Sequence, residues 1–216
     1  IVQQDWMRNE FIELFEVKNV IVARPSVPQI HMTKSVANHD IIFVCPSFPR
    51  YYKNFECACE AVKILEASGV VDFKLYITLS GDENRYARYL RKKYENIDNI
   101  IFCGLLKRED LMKLYASSSC LIFMSKLETW GMPITEYKFT EKPMIVADLP
   151  YAHETVGKYC EAGFVNPDDP ILLSSYMRKV IDGQRLKPSN AKLIRQPYAE
   201  NWSALSHMLL GVDKCK

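Results

Sequence analysis

The sequence lacks the short signatures that would assign a chain of this size to the commonest ligand-binding classes. It contains no Gly-x-Gly-x-x-Gly and no Gly-x-x-x-x-Gly-Lys, so neither a nicotinamide or flavin enzyme nor a P-loop ATPase is supported. It has no Asp-x-Asp to hold a divalent cation beside a phosphate and no Cys-x-x-Cys pair for zinc. The four histidines, His31, His39, His153 and His207, are too scattered to suggest a metal or catalytic centre. Seven cysteines (45, 57, 59, 103, 120, 160 and 215) are an odd set that cannot all pair within the chain, so a disulfide scaffold is disfavoured and a reducing, cytoplasmic setting fits best. Cys57 and Cys59 stand two residues apart on a predicted helix and point to different faces, which suits small apolar fillers better than a metal clamp. No apolar run approaches the ~20 residues of a membrane span, and no basic then apolar leader opens the chain, so a soluble protein is expected. A net charge of +2, from 28 basic and 26 acidic residues, gives no reason to expect a nucleic-acid partner. Even the mixed run "RYARYLRKKYEN" reads as a solvated helix face.

What is present is the material of a core, 48% hydrophobic residues against 25% charged. From about residue 40, short β-branched or aromatic runs alternate with amphipathic patterns. The runs are "IIFVCP", "FKLYITLSG", "NIIFCG", "CLIFMS", "PMIVAD" and "AGFVNP", each stopped by Gly, Pro, Ser or Asp. Between them, "KNFECACEAVKILEAS", "ENRYARYLRKKYEN", "REDLMKLYASSS", "ITEYKFTE" and "ILLSSYMRKVIDG" carry helical stripes, while "YAHETVGKYC" is the weakest crossover. Six strands joined by five crossovers, in near-continuously apolar runs, predict an α/β fold: a doubly wound, parallel, six-stranded Rossmann-like sheet with helices on both faces.

The flanks break this alternation. "DWMRNEFIELFEV" reads as a helix and "NVIVARP" as a strand, followed by the polar passage "SVPQIHMTKSVANHD". After Gly183 come basic helical stretches interrupted at Pro188 and Pro197. We therefore divide the chain into 1–38, a remnant of a preceding domain with its linker; 39–184, the sheet domain; and 185–216, a helical tail. Both flanks have the look of pieces that pack on something further.

In a doubly wound sheet, ligands sit beyond the carboxyl ends of the strands where the strand order reverses, normally between the first and fourth strands. That rule selects two loops, "PSFPRYYKN" (46–54) and "SKLETWGMP" (125–133). The first offers Arg50 and Lys53 beside a helix start, a setting for a pyrophosphate. Two such cations, each ~4 Å from a phosphate oxygen, would contribute on the order of 4 kcal/mol per charge pair before desolvation, enough to stand in for a metal. After the second strand, Ser80 and Gly81 occupy the place where a dinucleotide site has an acid. The second loop brings Glu128, Gly131 for close backbone approach, Pro133 for a helix start, and Glu136 on that helix. Carboxylates accept paired hydrogen bonds from vicinal hydroxyls, so two of them flanking a diphosphate site imply a sugar nucleotide.

The stretch "SKLETWGMPITEYKFTEKPMIVADLPYAHETVG" resembles the C-terminal half of retaining GT-B glycosyltransferases of the group 1 (family 4) type. The likeness rests on Glu, seven residues, Glu (Glu128 to Glu136), then "KP-x-I-x-A-D" and "E-x-V-G", with an upstream "F-x-G-x-L... L-x-x-L-Y-x-x-S", and covers about residues 40–183. The resemblance implies that Glu128 receives hydroxyls of the donor sugar, that backbone N–H groups of Thr129, Trp130, Gly131 and Met132 face sugar and diphosphate, and that Glu136 binds the ribose. It makes Lys53 the phosphate lysine and Gly104, Leu105 and Leu106 the place where the base is received. The family's partner arginine would fall at Phe48 or Ser47, so its role passes to Arg50 or is lost. The function implied is donor binding in a retaining, metal-independent enzyme that transfers a hexose from a UDP-, GDP- or ADP-sugar to a glycan or lipid-linked acceptor. The acceptor would be held by a missing N-terminal domain, so this piece alone would be inactive. No cofactor is implied. The basic residues Lys187, Lys192 and Arg195 raise the alternative of a peripheral contact with anionic lipid at the inner face of a membrane. Rival readings are a sugar-nucleotide epimerase of GT-B form, a hydrolase using Glu128 and Glu136 as acid and base, and a non-catalytic nucleotide-sugar-binding or scaffold module.

Overall fold

The computed structural model describes residues 1–27 and 40–210; most of the polar passage from Ser26 to Asp40, with His31 and His39, and also Cys215, lie outside the described residues. In chain order, α1 (Asp5–Phe15) and β1 (Val22–Ala23) precede β2 (Ile41–Cys45), α2 (Phe55–Ala67), β3 (Phe73–Ile77), α3 (Arg85–Tyr94), β4 (Ile100–Phe102) and α4 (Arg108–Ser117). There follow β5 (Cys120–Phe123), α5 (Met132–Tyr137), β6 (Met144–Ala147), α6 (Pro150–Val156), β7 (Ala162–Val165), α7 (Pro170–Ile181), β8 (Tyr198–Ala199) and α8 (Trp202–Leu210). Six of the strands form one sheet in the order β4-β3-β2-β5-β6-β7, every neighbouring pair parallel. This is the doubly wound arrangement, with its reversal between β2 and β5.

The strands are continuous in apolarity because both faces are covered: all four residues of β5 and all four of β6 are buried. Alternate side chains feed two cores. Phe43, Cys120 and Ile122 join Phe55, Val62, Leu90 and Met177 on the face carried by α2, α3 and α7. Val44, Leu121 and Phe123 join Tyr115, Ile134, Tyr137 and Tyr151 on the face carried by α4, α5 and α6. Cys57 and Cys59 do point differently, yet both are buried, because α2 packs on the sheet with one side and against its neighbour α7 with another. The weak crossover 151–160 is a single short helix, α6, closed at Gly157.

The flanks differ from expectation in one respect. The basic stretch 184–197 forms no helix; it crosses the surface as an extended segment that ends in β8. Its two prolines deny it N–H donors, and its partners are main-chain groups of other segments instead: the Tyr159 and Ser189 backbones exchange two hydrogen bonds, and Ala162 donates to Lys187. The two ends of the chain also meet. β1 and β8 pair in parallel, and Val2, Val20 and Val22 make a small core of their own. Arg8, 4% exposed, donates to the carbonyls of Arg195 (2.8 Å), Gln196 (3.1 Å) and Pro197 (3.0 Å), so one guanidinium ties the first helix to the last segment. Glu154 of α6 accepts from the free N–H groups of Asp5 and Trp6 at 2.8 and 2.7 Å, anchoring α1 to the sheet domain.

Replacing Arg8 by alanine strands three carbonyls at once, and we expect urea unfolding to show a loss of about 2–4 kcal/mol. A loss under about 0.5 kcal/mol, the scale of an ordinary surface change, would mean that the clamp does not hold the ends together.

Candidate functional site

Because β2 pairs with β5, the loops that leave them run side by side at the carboxyl edge of the sheet. They are stitched together by main chain: the Lys126 N–H donates to the Tyr52 carbonyl at 2.7 Å. The loop after β2 ends in a short 3-10 turn, Tyr51–Lys53, stopped by Asn54 at a φ of 54°. The amide of Asn54 is buried and donates to the carbonyls of Met124 (3.3 Å) and Pro167 (2.7 Å), which spans the β5 and β7 exits and fixes the start of α2. Lys53 is thereby held over the β5 exit, and its ammonium donates directly to the Glu128 carboxylate. The two side chains are 15% and 13% exposed, and the aromatic rings of Tyr52 and Phe123 lie 5.3 and 5.5 Å from the ammonium. Lys53 and Glu128, chosen from opposite loops, are brought into contact.

Glu136 lies deeper, on α5, and is buried. Its partner is Arg108, whose Nη1 stands 3.0 Å from Oε1 at the first residue of α4. Burial pushes the Glu136 carboxyl above the usual carboxylate range, and the neighbouring guanidinium pulls it back in part. Arg108 was missed in the sequence. The signal lay in "GLLKRED", where a cation follows Leu105 and Leu106 at a helix start, but nothing local shows that α4 begins opposite α5.

Between the carboxylates, Thr129 is exposed and Gly131 takes a φ of 87°, where an added Cβ would come 3.3 Å from Ile134 and 3.5 Å from Tyr151. Only glycine fits that bend without strain. Among the described residues, the N–H groups of Thr129, Trp130 and Gly131 have no acceptor within the chain. Met132, half-buried, opens α5. The Trp130 side chain turns away from the crevice: its indole donates to Thr135 at 2.8 Å and its ring packs beside Arg24.

Ser47, Leu105 and Leu106 come together, lining with Pro46, Phe48, Thr78, Leu111 and Pro133 a mostly apolar cavity of about 180 Å³. Two residues stand apart. Arg50 is exposed, with its guanidinium over the Phe48 ring at 5.2 Å, and lines a neighbouring slot with Tyr51, Asn84 and Tyr86. Gly81 has its N–H committed to the Glu83 carboxylate at 3.0 Å, and Arg91 packs where a side chain would go. Gly104 continues the sheet's hydrogen bonding, its N–H donating to Leu79 at 3.2 Å, and so aims the Leu105 to Leu106 turn. Among the described residues, no three His, Cys, Asp or Glu side chains converge as a metal cage would require. His153 is engaged in its own contact, 2.6 Å from Asp148 and stacked on Phe164.

Comparison with known proteins follows the same outline. A family profile described as "Glycosyl transferases group 1" matches residues 29–199. No curated protein matches the chain. Among solved structures, TarM is similar at a TM-score of 0.69 and 12% identity, over 84% of this chain and 36% of that one. HepE from Anabaena, solved in complex with UDP-glucose, gives 0.57 and 16%, over 67% and 40%. WaaG, a glycosyltransferase involved in lipopolysaccharide biosynthesis, gives 0.56 and 19%, over 68% and 39%. The chain thus spans about two fifths or less of the length of these structures.

The Glu136 environment has a consequence for stability. A carboxyl whose pKa is raised on folding holds its proton more tightly in the folded state, so its contribution is full below the ordinary 4.5 and falls as pH rises through the folded value. Glu136→Gln removes that dependence. The difference in unfolding free energy between the parent and Glu136→Gln should therefore shift in the variant's favour as pH is raised from 4 to 7; a pH-independent difference would contradict the burial argument.

Proposed function

The chain belongs to the group 1 glycosyl transferases, and on that premise we propose that it is the donor-binding half of a glycosyltransferase, receiving a nucleoside diphosphate sugar where the β2 and β5 exits meet. The observation that carries this reading is the contact of Lys53 with Glu128. It sets a phosphate-binding cation and a hydroxyl-binding carboxylate in one crevice, with the buried Glu136 behind them. In the bound state the donor diphosphate takes Lys53 as its cation, a sugar hydroxyl takes Glu128, and the ribose takes Glu136 beside Arg108. The base enters the cavity lined by Ser47, Leu105 and Leu106. The unpaired N–H groups of Thr129 to Gly131 supply donors for the sugar and diphosphate.

Transfer breaks the bond between the anomeric carbon and the β-phosphate oxygen, leaving the electron pair on that oxygen, where Lys53 meets the growing charge, while the anomeric carbon bonds to an acceptor hydroxyl oxygen whose proton passes to the departing phosphate oxygen or to solvent. We read the reaction as retaining and metal-independent, and the sugar as a hexose. Arg50 stands outside the pair in this state and would join it only by leaving Phe48. The acceptor, a glycan or lipid-linked sugar, belongs to a second domain across the crevice. The exposed apolar side chains of α1 (Phe11, Ile12, Leu14, Phe15) and of α8 (Leu209, Leu210) support such a neighbour. On this reading, residues 1–38 are a remnant of the preceding domain with its linker, residues 185–216 are the tail that packs back on that domain, the enzyme works in the cytoplasm, and the described chain alone does not transfer sugar. No helix of the described residues is long and apolar enough to cross a membrane.

Calorimetric titration with UDP, GDP and ADP and their glucose conjugates tests the proposal, with UDP-glucose first because HepE was solved with it. We expect binding of one nucleotide family, weakened roughly 10- to 100-fold by Lys53→Met, which removes one charge-assisted contact. Glu136→Ala should weaken it by about tenfold or more. Absence of heat with every nucleotide, in protein shown to be folded, would favour a scaffold module over an enzyme half.

A further inference from the structure

Behind the crevice, on the far side of Trp130, lies a second and more enclosed cavity of about 150 Å³. Arg24, from the end of β1, and Lys192, from the tail, close it over Lys138 of the turn after α5 and Lys158 after α6. Its wall thus carries four cations against one carboxylate, Glu154. That carboxylate is already spent on the N–H groups of Asp5 and Trp6. The other acceptors around the cavity are also engaged: Thr135 Oγ1 accepts the Trp130 indole, Thr155 Oγ1 accepts Gln4, and the Thr155 carbonyl accepts Lys138. Donors remain in excess. Among the described residues, Arg24 Nε is sealed from solvent with no hydrogen-bond partner, although the guanidinium is fixed between the rings of Trp130 and Tyr198, each 5.5 Å away. A buried, unpaired donor costs free energy, and the charge of its guanidinium is one that an anion in the adjoining cavity would compensate.

We propose that this cavity is an anion site for a phosphate-sized oxyanion, held by Arg24, Lys138, Lys158 and Lys192. The volume is several times the ~30 Å³ that a water occupies in the liquid, enough for one tetrahedral oxyanion with residual water. The Lys138 ammonium is under matching stress: burial, with Arg24 adding to it, brings its pKa down to about 8. An anion there would relieve both. It would also join four separate segments, β1, the loop of Trp130, the end of α6 and the tail, so occupancy would tie the flanks to the loop that carries Glu128. The site is separate from the Lys53 crevice: of its lining residues only Trp130 also contributes there, through its main-chain N–H, while the cations Arg24, Lys138, Lys158 and Lys192 take no part in the donor reading.

The chemistry fits free phosphate and a phosphomonoester group alike. The test is calorimetric titration and thermal melting of the chain with sodium phosphate or methyl phosphate, against sodium chloride at the same ionic strength. We expect phosphate to raise the melting temperature beyond chloride. Lys158→Ala with Lys192→Ala, both exposed and harmless to the core, should weaken phosphate by about tenfold or more, and Lys138→Met should do the same. Lys53→Met should leave phosphate binding unchanged. Binding of methyl phosphate as well would identify a site that accepts the phosphoryl end of a larger molecule; binding of phosphate alone would identify a free-oxyanion site. No effect beyond chloride, or binding that survives the lysine changes, would overturn the proposal. So would binding abolished by Lys53→Met, which would place the anion in the donor crevice.

Discussion

The ion pair between Lys53 and Glu128 is the constraint on which the geometry of the crevice depends. Neither residue is close to the other in sequence, and each lies in a loop that would otherwise be free to splay. Adjacency of β2 and β5 brings the loops together, the Lys126 to Tyr52 hydrogen bond locks their main chains, and Asn54 fixes the end of the first. The pair itself adds little net stability, because removing two charges from water offsets most of their attraction. Its significance is positional. It holds an ammonium at a fixed place against a partner that an incoming anion can replace.

The loop from Ser125 to Pro133 serves two sides of the molecule at once. Glu128 faces the crevice, while Trp130 faces the flanking segments through Thr135, Arg24 and the Thr155 hydroxyl that donates to its carbonyl. Gly131 makes this division possible, since the positive φ reverses the direction of the chain between Trp130 and α5. The flanking segments therefore meet the loop that carries Glu128 at Trp130, and again through Gln4 and Tyr151, whose hydroxyl donates to the Ser125 carbonyl.

The sheet was legible because its signal is dense: six apolar runs, each flanked by breakers, allow few other arrangements, and the handedness of crossovers supplies the order. The meeting of Lys53 and Glu128 was legible because topology selects two neighbouring loops with few ionisable residues, and Glu136 follows on the helix that the second loop opens. Arg108 was not legible, since its role comes from the approach of α4 to α5 and not from any pattern around it. The segment 184–197 misled for a related reason: its basic residues suit a helix face, but two prolines and main-chain partners elsewhere hold it extended. Gly81 has a local structural use that no sequence pattern announces: it makes room for the Arg91 side chain and gives its N–H to Glu83.

The two cationic regions differ in how their charge is balanced, and that difference bears on what each can do. In the crevice, Lys53 has Glu128 and Arg108 has Glu136, so a ligand exchanges one pairing for another and the gain is a difference between two attractions. Such a site discriminates, because an anion without hydroxyls to occupy the released carboxylate leaves that carboxylate uncompensated. In the rear cavity the one carboxylate is already engaged with α1, so an anion would meet cations with no carboxylate partner to displace, Lys138 having only the Thr155 carbonyl. Its binding would be governed by charge and size alone. The first arrangement suits selection of a substrate; the second suits an ion that fixes the relative position of segments.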